Sequence, residues 1–284
     1  MNIFVTGSNG FLGTYFRKNN KMQNCDIIYG TTSDNKFTLR FNNLYSNIFE
    51  KLNDKQIDII IHFASVIPKS FQSANFEDIY LPNTKMMNNL YNYSVSNGIK
   101  KFIYISSFGS MKEPNNLDIH DFYTMSKIAG EHFCSIMETN GIQTASLRLS
   151  APYGEYSHTK NVINLFIEKA IKSDNIEIFG SGEREQNFIY VEDIVNAIGL
   201  CVEKDVSGIY NIISQHNTSM LNLAKVILKI INSKSKILIN ERTDPQEGYK
   251  PNYTYNRAFK EIGFKPQYDI ERGLKKYINW LSNK

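Results

Sequence analysis

The sequence predicts an α/β protein: a doubly wound parallel sheet with a smaller C-terminal lobe. Three observations carry this reading. Short, continuous apolar runs rich in Ile and Val alternate with longer stretches of helical spacing, the alternation repeats in order along the first half of the chain, and a glycine-rich turn follows the first run directly. Continuous rather than alternating apolar runs are what strands covered on both faces require.

Taken in order, "NIFVTG" (2–7) reads as the first strand and residues 11–20 as the first helix. "DIIYGT" (26–31) is a second strand, and residues 45–54 a second helix. "DIIIHFAS" (58–65) and "KFIYISS" (101–107) are strands followed by helices over 80–97 and 122–139, and "TASLRLSAP" (144–152) is a further strand. Past residue 155 the pattern loosens: "NVINLFIEKAIKS" and "NLAKVILKIINS" have helical spacing, "IEIFG" and "SKILIN" are short strands, and 241–256 is a polar loop with Pro and Gly. "FIYVEDIVNAIGLCVEK" and "GIYNII" look like a return to the first domain. The expected division is therefore 1–155 plus 188–212 for one domain, and 156–187 plus 213–284 for a smaller lobe that closes over a substrate at the junction.

Composition excludes several classes. The chain has 284 residues, enough for a buried core, and three cysteines, Cys25, Cys134 and Cys201, that form no CxxC spacing, which argues against a disulfide framework or a zinc site and for a reducing cytoplasm. The five histidines show no ligand spacing, so no metal is expected. The net charge of +4 is dispersed through mixed-sign runs, which argues against a nucleic-acid partner, and no apolar run approaches a membrane span.

The chemistry begins at "TGSNGFLG". Gly7, Gly10 and Gly13 sit between the first strand and first helix, where glycines allow a tight turn and close backbone approach to a pyrophosphate facing the helix N-terminus. Their spacing is GxxGxxG, one residue off the GxGxxG of the dinucleotide fold. About 20 residues beyond such glycines an acidic side chain selects NAD. Here that place falls near Thr31, where Thr31, Thr32 and Ser33 offer hydroxyl donors and no carboxylate, so NADP(H) is expected over NAD(H), with Arg17 and Arg40 as candidate phosphate partners beside their reading as solvated surface residues.

In "YTMSK", Tyr123 and Lys127 are four apart and share one helical face. An ammonium beside a phenol is expected to lower its pKa from about 10, making it an acid/base near neutrality. Ser106 and Ser107 close the preceding strand at the carboxyl edge, where parallel sheets bind ligands. Serine, tyrosine and lysine around one carbonyl make a proton relay for hydride transfer. For an isolated YxxxK, the reading as a helix with an ordinary exposed lysine and a half-buried tyrosine would prevail.

"TGSNGFLG", "IHFAS", "NTKMMNNLYNYSVSNGIKKFIYISS", "YTMSKIAGE", "LRLSAPYGE", "IFGSGEREQNFIYVEDI" and "GFKPQYDIERGLKKYINW", in this order, resemble the extended short-chain dehydrogenase/reductase family of nucleotide-sugar epimerases, dehydratases and ketoreductases, over essentially the whole chain. The resemblance implies a Rossmann-like first domain and a homodimer packed through the helices at 80–97 and 122–139, to which Leu90, Ile128 and Phe133 would contribute unless they are simply buried within one subunit. It implies Tyr123 as acid/base, Lys127 on the nicotinamide ribose and Ser107 on the substrate oxygen. Gly7, Gly10, Phe11, Leu12 and Gly13 would cradle the pyrophosphate; Thr31, Ala64, Ser65 and Asn83 would line the cofactor; Asn161, Val162 and Arg184 would face the nucleotide-sugar.

Departures narrow the reading. Where dehydratases of the family carry an acidic pair after the serine, this chain has Phe108 and Gly109; where double epimerases use cysteine and histidine, it has Phe108 and Asn161. Gln186 and Asn187 replace the usual Arg-Asp, leaving Arg184, Arg242 or Lys250 as phosphate partners, and Met111 and Lys112 replace a Tyr-Gly. The expected activity is a 4-ketoreductase acting on an NDP-4-keto-6-deoxysugar. The alternatives are a 4-epimerase that retains its cofactor and a non-catalytic dinucleotide-binding sensor or scaffold.

Overall fold

The computed structural model describes residues 1–32, 39–40, 48–52, 55–70, 73–109, 121–158, 161–240 and 242–284. Ser33, Met111 and Lys112 lie outside these, as do parts of the helix expected over 45–54. The chain divides into two compact units. The first comprises Met1–Leu149, Val195–Ile212 and Thr254–Lys265; the second comprises Ser150–Ile194, Ile213–Tyr253 and Pro266–Lys284.

The first unit is a seven-stranded, wholly parallel sheet. Its strands are β1 (Asn2–Thr6), β2 (Asp26–Thr31), β3 (Leu39–Arg40), β4 (Ile59–His62), β5 (Lys101–Ser107), β6 (Gln143–Leu149) and β11 (Ile209–Ile212), in the spatial order β11-β6-β5-β4-β1-β2-β3. From β1 the chain builds outward to β3, then returns to β4 on the other side of β1. The carboxyl ends of β1 and β4 thus flank the switch point at which ligands of such sheets bind.

Helices α1 (Phe11–Asn19), α2 (Ile48–Leu52), α3 (Leu81–Ser96) and α4 (Phe122–Thr139) connect these strands, with a π-helical turn at Phe76–Tyr80 leading into α3. Ile3, Phe4, Val5, Ile60, Ile61, Phe102 and Ile103 are fully buried, as continuous apolar strands between two helical layers must be. One face of the sheet packs Phe4, Ile60 and Phe102 against Met86, Met87, Leu90 and Tyr93 of α3 and Cys134 and Met137 of α4. Leu90 and Ile128 are buried within the subunit, and Phe133 packs against the same core. Intramolecular burial accounts for all three.

Two further helices complete this unit. α6 (Val191–Glu203) has its last nine residues here, and the buried Lys101 ammonium donates to its C-terminal region at Cys201 O and Val202 O (both 2.9 Å) and at Lys204 O (2.6 Å), serving orphan carbonyls at a helix end. α8 (Asn256–Ile262) belongs to this unit although the sequence reading assigned its residues to the smaller lobe. Asn211 Nδ2 donates to Thr254 O at 2.9 Å and Arg257 reaches Ile209 O at 3.2 Å, which ties the segment to β11.

The second unit carries three two-stranded sheets: β7 (Ala151–Tyr153) with β10 (Phe188–Tyr190), β8 (Ile176–Phe179) with β13 (Ile237–Asn240), and β9 (Glu185–Gln186) with β12 (Thr218–Ser219). Its helices are α5 (Val162–Lys172), α7 (Met220–Ile231) and α9 (Ile270–Ser282), with α7 packed on both others. "TASLRLSAP" is two strands rather than one. After Leu149 the chain pairs instead with the segment before β10, Ala151 N donating to Asn187 O at 3.0 Å and Ser150 Oγ to Asn187 Oδ1 at 2.9 Å. Among the described residues no helix is long and apolar enough to cross a membrane.

Candidate active site

At the carboxyl end of β1 the chain turns through Gly7 at φ +68, and Gly7 O accepts from Gly10 N at 3.0 Å. A Cβ on Gly7 would lie 2.5 Å from Ala64 N, so the turn presses against the segment that follows β4. A Cβ on Gly13 would lie 2.2 Å from Gly7 O, so helix and turn are in backbone contact; one on Gly10 meets Gly7 O at 3.3 Å and nothing nearer. Gly7 and Gly13 thus shape the turn, while the exposed Gly10 is the N-cap of α1 with no side-chain cap. Phe11 and Leu12 open that helix, whose first turn carries no acidic side chain. The leading amides of a helix lack intrahelical partners and favour an anion, so this turn fits a dinucleotide pyrophosphate.

Thr6 and His62 brace the turn from beneath. Thr6 Oγ1 and His62 Nδ1 are 2.6 Å apart, and Ala64 N donates to Thr6 Oγ1 at 3.3 Å. Burial pushes the His62 imidazole down to about 3, with the Lys127 charge adding to the effect, so it is neutral at physiological pH. Its ring stacks on Tyr104, centroids 5.8 Å apart. At the end of β2, Thr31 is buried and stands in register with Arg40 of β3. Arg17 falls in the last turn of α1.

Asn83 is a hub. Its Oδ1 accepts from Val66 N at 2.8 Å and from Ser65 Oγ at 3.4 Å, while its Nδ2 donates to Val66 O at 3.0 Å and Ser126 Oγ at 3.1 Å. Ser126 Oγ in turn donates to Tyr123 O at 2.8 Å. One buried amide on α3 therefore fixes the strand-end loop and the first turn of α4 together.

α4 begins at an Asp121 cap whose carboxylate accepts from Thr124 N and Thr124 Oγ1, both at 2.8 Å, so Tyr123 projects from the first turn. The Tyr123 hydroxyl is hydrogen-bonded to the side chains of Ser107 and Ser65. Ser107 Oγ also accepts from Gly109 N at 3.0 Å. Gly109 has φ +55, and a Cβ there would lie 2.1 Å from Thr124 Oγ1, so no acidic side chain fits after Phe108.

Lys127, one turn further on, is buried. Its Nζ donates to Ile105 O at 3.0 Å and lies 5.2 Å from the Tyr104 ring centroid and 5.6 Å from that of Tyr123. The structure reverses the expected lowering of the phenol: burial pushes Tyr123 up to about 12, outweighing the hydrogen bonds from Ser107 and Ser65. Burial brings Lys127 down to about 7, opposed by the charge of Glu131. Three predicted residues, Ser107, Tyr123 and Lys127, thus converge with Ser65 at the ends of β4 and β5.

Sequence reasoning missed what lies behind them. Glu131, four residues past Lys127 on α4, takes the Arg148 guanidinium in a fork, Nε to Oε1 and Nη2 to Oε2 both at 2.7 Å, and Ser106 Oγ donates to Oε1 at 2.6 Å. The pair is buried. Its signal was the helical repeat itself, Tyr123, Lys127 and Glu131 falling at intervals of four.

In the second unit, Asn161 caps α5 by accepting from Asn164 N at 2.9 Å, and Val162 is the first residue of that helix. Arg184 is engaged by Asp244 (Nε to Oδ2, 2.7 Å) and by Gln246 at 3.0 Å. Arg242 lies over the Phe179 ring at 5.7 Å, and Lys250 pairs with Glu185 at 3.6 Å. Asn187 is buried and bonds to Ser214 and Asn217, so the residue replacing the usual aspartate is part of the scaffold.

The chain is similar to known proteins over essentially its whole length. A candidate UDP-glucose 4-epimerase of Methanocaldococcus jannaschii is 28% identical over 99% of this chain and 98% of its own length. The dTDP-D-glucose 4,6-dehydratase of Mus musculus is 29% identical over 91% of this chain and 74% of its own. The crystal structure of Thermotoga maritima UDP-glucose 4-epimerase with UDP-glucose shares the fold at a TM-score of 0.87, with 21% identity and coverage of 100% of this chain and 99% of that one. The UDP-N-acetylglucosamine 4-epimerase of Bacillus cereus does so at 0.86, with 22% identity over the whole of both chains. The sequence model of the NAD dependent epimerase/dehydratase family matches residues 3–212, and the chain belongs to that family.

Proposed function

We propose that this enzyme transfers hydride at carbon four of a nucleotide-activated sugar, and that it is a 4-epimerase that keeps its cofactor through the cycle. The observation that carries the hydride chemistry is the Tyr123 hydroxyl bonded to Ser107 with Lys127 buried one turn away. A bound nicotinamide dinucleotide would supply the hydride acceptor and donor. Tyr123 handles the proton of the sugar hydroxyl: as a neutral phenol it donates to the oxygen of a keto sugar during reduction, and as a phenolate it takes the proton during oxidation. Ser107 orients that oxygen. Lys127 stabilises the phenolate in the oxidising direction and holds the nicotinamide ribose. Gly7, Gly10, Phe11, Leu12 and Gly13 cradle the pyrophosphate, and Ala64, Ser65 and Asn83 line the cofactor.

Epimerisation is placed ahead of the 4-ketoreductase reading because the full-length relative named above carries an epimerase name. Elimination of water is disfavoured by Phe108 and by Gly109, which leaves no room for a carboxylate. The ketoreductase is the second reading, and it is supported by the hydroxyls of Thr31 and Thr32 and by Arg40 beside Thr31, which favour NADP(H) over NAD(H). The sugar nucleotide is assigned to Asn161, Val162 and Arg184. A homodimer is supported by the exposed Phe122, Met125 and Ile136 on α4, and a cytoplasmic location by three free cysteines.

The test is a panel of UDP- and dTDP-sugars followed by NMR of the sugar anomeric signals, with nicotinamide absorbance recorded in parallel. Interconversion of the 4-epimers without net cofactor consumption supports the epimerase. Stoichiometric consumption with a 4-keto-6-deoxysugar establishes the reductase instead. Tyr123→Phe is expected to abolish either activity with cofactor affinity nearly unchanged.

A further inference from the structure

Lys127 lies in a part of the interior where most titratable neighbours are neutral. His62 on β4 has its imidazole driven down to about 3, Tyr104 on β5 is raised well above its usual value, and Tyr123 and Cys134 on α4 are each pushed up to about 12, in every case chiefly by burial. None of these carries charge at pH 7. Asp121, at the start of α4, is occupied in capping the helix through Thr124. Among the described residues the charge acting on Lys127 is then that of Glu131 on the next turn of α4, to which Arg148 of β6 is paired.

Glu131 is held where it cannot swing onto the lysine. Its two oxygens accept three hydrogen bonds from Arg148 and Ser106 at 2.6–2.7 Å. Lys127 meets a neutral carbonyl, Ile105 O, and two ring faces. The carboxylate therefore acts on the ammonium through space across one helical turn, in an interior where screening is weak.

We propose that Glu131, fixed by Arg148 and Ser106, is a positioning residue that raises the share of Lys127 in its ammonium form at neutral pH, with Arg148 moderating the effect by partly neutralising the carboxylate. Lys127 titrates near 7, so a change of one unit alters the charged fraction from about half to about a tenth at that pH. Ser106 adjoins Ser107 on β5, so the same clamp fixes the strand end that presents the catalytic hydroxyl. The functional meaning of this device rests on the proposed role of Lys127 beside Tyr123; the device itself does not.

The test is direct titration of Lys127 in full-length protein carrying 13Cε-lysine, its NMR signal assigned by its loss in Lys127→Met. Glu131→Gln is expected to lower the midpoint by about one pH unit, and Arg148→Met, which leaves the carboxylate uncompensated, to raise it. A purely structural contribution weakens the fold in both variants and leaves both midpoints in place. Arg148→Met leaves a buried unpaired carboxylate and is the variant most exposed to misfolding. The double variant E131Q/R148M removes both charges, and its midpoint is expected to return above that of Glu131→Gln. A Glu131→Gln midpoint unchanged from the wild type, or equal to that of the double variant, overturns the proposal. Activity is read separately: the alkaline limb of kcat/KM should move down with Glu131→Gln. A shifted midpoint without a shifted limb upholds the electrostatic device and refutes the assigned role of Lys127.

Discussion

Lys127 donates to the main-chain oxygen of Ile105 at 3.0 Å, and this contact anchors a buried cation to the end of β5. Its pKa is depressed from 10.5 to about 7, so the folded state prefers the neutral amine. The stability this group contributes is present above 10.5 and lost as the pH falls to 7. Below 7 the full cost of burying charge remains, on the order of 5 kcal/mol. Lys127→Met should therefore melt higher than the wild type at pH 6 and converge with it towards pH 10, measured by circular dichroism, while turnover is lost.

Asn83 joins Val66 on one side and Ser126 on the other. Asn83→Ala leaves buried partners unsatisfied and should cost about 2 kcal/mol of stability in chemical denaturation. It should also lower kcat more than cofactor affinity, because Ser126 holds the main chain of Tyr123. A variant with wild-type kcat would separate Asn83 from the positioning of the phenol.

Gly10 and Gly13 make opposite predictions from one turn. Gly13→Ala drives a methyl to 2.2 Å from Gly7 O and should destabilise the fold by about 3 kcal/mol or more. Gly10→Ala meets Gly7 O at 3.3 Å, so the melting temperature should change little while dinucleotide affinity falls about tenfold or more. Differential scanning fluorimetry with and without cofactor distinguishes the two.

His62 predicts an acid sensitivity. Its pKa falls from 6.5 to about 3 on folding, so its contribution is intact above 6.5 and is withdrawn as the pH drops towards 3. His62→Gln should flatten the loss of stability between pH 6.5 and 4 by about 2 kcal/mol, although it melts lower at pH 7 through the lost stacking on Tyr104. A profile as steep as the wild type's would assign the acid limb to other groups.

The parallel sheet was legible because β1, β4 and β5 are uninterrupted apolar runs, a pattern set by burial on both faces, and because glycines at 7, 10 and 13 admit few other turns. The helices bearing Tyr123 and Asn83 were legible from spacing. The break at Ser150 was not, since pairing with the segment before β10 spans 37 residues and leaves no local signal. The placement of α8 beside β11 was hidden for the same reason. The raised Tyr123 pKa was missed because spacing gives a neighbour's charge but not the depth of burial, and here burial is the larger effect.

The left-handed turn at Gly109 has a consequence for divergence within the family. With Thr124 Oγ1 standing where any side chain would begin, an acidic pair at positions 108 and 109 cannot be installed by exchanging those two residues alone. The chain would first have to rebuild the entrance to α4, including the Asp121–Thr124 cap on which the orientation of its phenol depends. Steric closure at one glycine thus ties that position to the helix cap, so the two could change only together.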